Sequence, residues 1–117
     1  MQERYRFTEM KAAEQIHRWK AEKNAVILAH YYVRPEIQEI ADYVGDSYFL
    51  SEKAAELNAE IIVLCGVSFM GESAKILNTD KRVLLPEPEA DCPMAHMATP
   101  EQVAEVRAGY DDLAVVC

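Results

Sequence analysis

A histidine and two phenols, His30-Tyr31-Tyr32, directly follow the apolar run Val26-Ile27-Leu28-Ala29. An imidazole with its pKa near ~6.5 can serve as acid, base or hydrogen-bond donor, and a phenol can donate to a carboxylate or carbonyl. Further along, Gly45-Asp46-Ser47 offers a hydroxyl and backbone N–H groups suited to a carboxylate or phosphate. Cys92 stands in a proline-bounded loop with Glu87, Glu89, Asp91, Pro93 and Met94, where a thiol suits a metal or a nucleophilic role. Each residue also has a plainer reading. His30 suits a strand-end histidine satisfied by a backbone carbonyl, Tyr32 a packed ring with its hydroxyl in water, and Ser47 a turn or N-cap serine. Cys65 ends an apolar run and reads as a small hydrophobe, as does Cys117. With no C-x-x-C pair, one cysteine cannot complete a metal site.

What gathers these groups is the order of elements. Thr8 to Glu22 reads as a helix with Met10, Ala13, Ile16, His17 and Lys20 near one face. Ala25 to Ala29 has the length and β-branched content of a buried strand. Pro35 and Glu36 open a helix whose apolar positions are Ile37, Ile40, Ala41 and Val44. Tyr48-Phe49-Leu50 reads as a short extended piece before a helix over Glu52 to Leu57. Ile61 to Cys65 is a second strand, Phe69 to Leu77 a helix with Asn78 as C-cap, and Val83 to Leu85 a third strand. Glu72 is placed in that helix's first turn, and Lys75 in a surface pair. Thr99, Pro100 and Gln102 form a capping-box start, and Leu113 to Val116 reads as a fourth strand. The pattern β-α-β-α-β-α-β predicts an α/β fold, a three-layer αβα sandwich around a four-stranded parallel sheet covered on both faces. In such sheets ligands bind at the carboxyl ends of the strands. His30, Tyr32, Ser47, the Gly66-Val67-Ser68 turn and Cys92 should therefore share one edge.

Bulk properties narrow the function. The 117 residues suit one domain. Twenty acidic residues against 12 basic ones give a net charge of −8, unsuited to nucleic acid or an anionic membrane. No apolar stretch approaches the ~20 residues of a membrane span, and the opening residues lack a signal-peptide core. The three cysteines are an odd number without close spacing, which points to a cytoplasmic chain rather than a disulfide scaffold. Neither G-x-G-x-x-G nor Gly-Lys-Ser/Thr is present, so no dinucleotide or ATP site is supported.

Together Ala29-His30-Tyr31-Tyr32, Pro35-Glu36-Ile37-Gln38, Ala41-Asp42, Gly45-Asp46-Ser47, the segment Gly66 to Leu77, Val83-Leu84-Leu85-Pro86 and Cys92-Pro93-Met94-Ala95 resemble the quinolinate synthase family. The resemblance implies the first of three similar αβα domains around a central 4Fe-4S cluster, each domain giving one cysteine. It implies condensation of iminoaspartate with dihydroxyacetone phosphate to quinolinate, for NAD biosynthesis. By position, Cys92 resembles the first domain's cluster ligand, His30 and Tyr32 the substrate-binding and proton-transfer pair, and Ser47 a carboxylate-holding serine. Cys65 and Cys117 match no ligand position. Gly71 replaces the family's usual alanine, and His96 stands where aspartate is common. The family pattern runs past Cys117, and the other two domains supply the remaining ligands, so residues 1–117 alone are expected to be inactive. Two alternatives remain: a free-standing, non-catalytic αβα module that binds a dicarboxylate, and a thiol-dependent regulatory domain using Cys92.

Overall fold

The structure, a computed structural model, describes residues 2–116 apart from the side chains of residues 2, 3, 5–7 and 9; the expectation for Cys117 lies outside them. Helix α1 (Gln2–Glu22) turns at Asn24, whose φ of 47° is tolerated by asparagine. It feeds strand β1 (Ala25–His30), buried from Val26 to Ala29. Then come α2 (Pro35–Ile40), β2 (Tyr43–Gly45), α3 (Ser47–Glu56), β3 (Ile61–Cys65), α4 (Ser68–Leu77) and β4 (Arg82–Leu84). A 3-10 turn (Pro93–His96) precedes α5 (Pro100–Ala108). Among these residues no helix is long and apolar enough to cross a membrane.

The four strands form one all-parallel sheet in the order β2-β1-β3-β4, with Leu28 opposite Tyr43 and Leu64, and His30 opposite Gly45. Helices α1 and α2 touch each other and β1; α3 packs on β1 and β2 and against α4, which packs on β4. The chain is thus a three-layer αβα sandwich. Its main core lies between the sheet and α3/α4, where Leu28, Leu50, Ala54, Ile62, Leu64 and Met70 are buried. Burial alternates along β3, with Ile61, Val63 and Cys65 half-buried, so cover over that strand is incomplete on the α1/α2 side.

Several expectations are corrected. The helix begun at Pro35 ends at Ile40, and Tyr43–Gly45 forms the fourth strand. Asp42 causes the switch: its carboxylate accepts the Ile27 N–H at 2.7 Å and its own N–H donates to the Ile27 carbonyl at 2.8 Å, laying the chain beside β1. Tyr48-Phe49-Leu50 is helical, because Asp46 caps α3 by accepting the Phe49 N–H at 2.8 Å. Leu113 to Val116 is exposed and joins no strand among the described residues. On α1, Ala13, Ile16 and Lys20 are half-buried, whereas Met10 and His17 face solvent. Asn78 and Thr99 cap as expected, Asn78 holding the Ala74 carbonyl and Thr99 forming a full capping box with Gln102.

Candidate functional site

Strand β1 connects to β2 through α2 on one face, and β3 to β4 through α4 on the other. Chain direction therefore diverges between β1 and β3, the switch point at which open α/β sheets bind ligands. A cleft of about 640 Å³ opens there. His30 from the end of β1, Tyr32 from the following turn, Ser47 from the start of α3 and Cys92 all line it. Phe69 and Met70 of α4 and Ile37 of α2 supply apolar wall.

The turn after β1 is tightly tied. The Tyr31 N–H donates to the Gly45 carbonyl at 3.1 Å, joining it to the end of β2. A Cβ at Gly45 would run into the Phe49 ring, so this close approach of strand end to helix needs glycine. The rings of His30, Tyr31 and Tyr32 lie with centroids 4.6 Å apart pairwise. His30 is half-buried; Tyr32 is 82 % exposed. His30 Nδ1 accepts the Tyr32 N–H at 3.2 Å, so in the neutral ring the proton sits on Nε2. A hydrogen bond with Tyr32 and its charge, and more weakly Asp46, hold the Tyr31 phenol above its ordinary pKa.

Ser47 opens α3, where backbone N–H groups and the helix dipole favour an anion. Its hydroxyl donates to Met70 Sδ at 3.3 Å. A thioether is a weak acceptor, so an incoming carboxylate is a better partner for that hydroxyl.

The cysteine loop is pinned to the rim by the Ser68 N–H, which donates to the Ala90 carbonyl at 2.9 Å. Asp91 accepts the Cys92 N–H through Oδ1 at 2.8 Å and meets His96 Nε2 through Oδ2 at 2.6 Å. Those contacts, the backbone one foremost, hold its carboxyl below the usual range. Cys92 is half-buried with its residue on the cleft wall. Cys65 also reaches the wall, but burial pushes its thiol pKa up, which keeps it protonated and poorly nucleophilic. Among the described residues no group of three or more His, Cys, Asp or Glu could hold a metal ion. Cys92 by itself offers too few donors for a whole metal site.

The other candidates divide between the cleft and the outer surface. Glu87 lines the cleft, whereas Glu89 and Asp91 do not. Glu72 lies beyond the first turn of α4, on the surface. Lys75 is turned to the far end of that helix, donating to the carbonyls of Thr79 and Lys81. Gly71 packs under Leu85, where a Cβ would stand 2.6 Å from Cδ2. Sequence reasoning missed Arg34, a residue on the cleft wall whose exposed side chain lies with Nε 3.4 Å from a Glu36 carboxylate oxygen. Its signal was its place just past a strand and before Pro35, which keeps it out of helical geometry.

Comparison with known proteins decides the family. The family described as Quinolinate synthetase A protein matches residues 14–117. The chain belongs to the quinolinate synthase family. It is 58 % identical over 99 residues to quinolinate synthase of Aquifex aeolicus, covering 85 % of this chain and 31 % of that one. The Fusobacterium nucleatum quinolinate synthase is 55 % identical over 104 residues, 89 % of this chain and 35 % of its own. That of Clostridium perfringens strain 13 is 56 % identical over 108 residues, 92 % and 36 %. The chain thus spans about a third of the length of these quinolinate synthases.

Proposed function

We propose that these residues form one wall of a quinolinate synthase active site, in which iminoaspartate and dihydroxyacetone phosphate condense to quinolinate with loss of phosphate and water. The observation that carries this is the meeting of His30, Tyr32, Ser47 and Cys92 on one cleft at the switch point of a chain from this family. His30 presents Nε2–H to a substrate carboxylate or carbonyl. Tyr32 adds a phenol that donates or returns a proton. Ser47 leaves Met70 to hold a carboxylate at the start of α3. Phe69, Met70 and Ile37 exclude water from the apolar side. Cys92 is one ligand of a 4Fe-4S cluster whose other ligands come from the remaining two domains of the enzyme; when bound, the cluster supplies Lewis acidity toward substrate oxygen atoms. In this reading residues 1–117 are the first domain of that enzyme.

The test is Cys92→Ala in the full-length enzyme prepared without oxygen. The expected result is loss of the brown iron–sulfur absorbance together with quinolinate formation, with the folded state kept. Retained absorbance would remove Cys92 from the ligand set. Residues 1–117 alone should make no quinolinate.

A further inference from the structure

We propose that Gln38 is a positioning residue that sets the tautomer of His30 through the peptide group joining Tyr31 and Tyr32. Gln38 sits in α2 and is half-buried. Its Nε2 donates to the Tyr31 carbonyl at 3.1 Å and to the Val33 carbonyl at 2.8 Å. A carboxamide nitrogen has two hydrogens, and both are used here. Both partners can only accept, so the contacts themselves settle which end of the amide faces the turn.

The Tyr31 carbonyl and the Tyr32 N–H belong to one planar peptide unit. Gln38 holds the oxygen end of that plane. The nitrogen end donates to His30 Nδ1 at 3.2 Å. Rotation of the plane would break both bonds, so the amide that fixes one end aims the other. A hydrogen bond accepted by the carbonyl also strengthens the N–H as a donor. The Val33 N–H donates back to the His30 carbonyl at 3.0 Å and closes the turn, whose far side Gln38 clamps at Val33. The relay therefore runs from Gln38 through one peptide group to Nδ1, and leaves Nε2 as the protonated nitrogen. His30 reaches the cleft and Gln38 does not line it, so Gln38 acts through His30 and not on a ligand.

The tautomer is read directly by long-range proton–nitrogen NMR of histidine-labelled full-length enzyme, at a pH where the ring is neutral, with His30 assigned by its loss in His30→Asn. The wild type should show the Nε2–H form. In Gln38→Met the Nδ1–H form should appear. Gln38→Glu keeps the shape, removes both donors, and carries the same test should the methionine variant fold poorly. The kinetic arm rests on the proposed function. In both variants kcat for quinolinate should fall about tenfold, as expected for a misdirected acid–base group, with KM within about twofold and iron–sulfur absorbance unchanged. A wild type in the Nδ1–H form, or an unchanged tautomer in both variants, overturns the proposal; a shifted tautomer with unchanged kcat upholds the tautomer assignment and removes His30 from the acid–base step of the proposed function. A wild-type enzyme that makes no quinolinate sinks the proposed function instead, and the NMR arm still decides the role of Gln38.

Discussion

Asp42 and Asp91 make the same pair of contacts in two regions of the molecule, and the outcome differs. Each accepts one backbone N–H, from Ile27 at 2.7 Å and from Cys92 at 2.8 Å. Each also meets one basic side chain, Lys20 at 2.8 Å and His96 at 2.6 Å. Asp42 reaches across 15 residues to a buried strand and 22 residues to α1. Asp91 bonds its immediate neighbour and a residue five positions on. The Asp42 side chain is 33 % exposed and its lysine 14 %; Asp91 and His96 are 51 % and 67 % exposed. A similar pair of contacts therefore helps build the sheet in one place and shapes a loop in the other. What separates them is the chain entropy each bond removes and the water that competes for it.

The largest effect expected from this contrast is that of Asp42→Ala. It strands the N–H of buried Ile27, frees Lys20 and loosens β2 where it joins β1. A loss of about 2 kcal/mol follows from a charge-assisted bond whose partner is left unsatisfied. Urea denaturation measures it, and hydrogen exchange should quicken across β1 and β2 together. Because the Gly45 carbonyl holds the Tyr31 N–H, the loosening should spread to the His30 turn. A variant as stable as wild type would abolish the distinction between the two aspartates.

The same contrast explains what could be read in advance. β1 and β3 are legible because Val26 to Ala29 and Ile61 to Cys65 are unbroken apolar runs at the centre of the sheet. β2 is not, because Tyr43-Val44-Gly45 continues the helical spacing of Ile37, Ile40 and Ala41. The deciding interaction is a side chain–backbone bond from Asp42 to a residue far back in the sequence, which no periodicity carries. Leu113 to Val116 shows the converse, β-branched composition without a neighbouring strand among the described residues. The cleft was foreseeable from where strands end: His30, Tyr32, Ser47 and Cys92 follow from parallel topology once the strands are placed. Gln38 and Arg34 were not, since one works through a backbone plane and the other only borders the cavity.

Lys20→Met sharpens the comparison at smaller scale. The Lys20 ammonium pairs with Asp42 and donates to the Ile40 carbonyl at 3.2 Å, at the end of α2. Methionine keeps the packed stem and removes the charge, while Asp42 retains the Ile27 N–H. The expected loss is about 1 kcal/mol, at the upper end for pairs open to water, and read by the same urea midpoint. If Lys20→Met cost as much as Asp42→Ala, the ion pair rather than the backbone bond would be what joins β2 to β1.

Asp91→Ala should leave the urea midpoint where it is and act only on the loop. Hydrogen exchange over residues 90–97 should accelerate, because the Cys92 N–H loses its acceptor and His96 its anchor, while β1 and β2 stay protected. The pH dependence has a fixed sign. The native Asp91 carboxyl titrates below its ordinary value, chiefly through the Cys92 N–H. Its contribution is therefore present above the unfolded value of about 3.9 and fades as pH falls through the native one. Wild-type loop protection should hold through neutral pH and fail only in acid, whereas the variant should lack it throughout. Global destabilisation in Asp91→Ala would mean that the cysteine loop is tied to the sheet as firmly as β2 is, and that the bond from Ser68 to Ala90 is only one part of that tie.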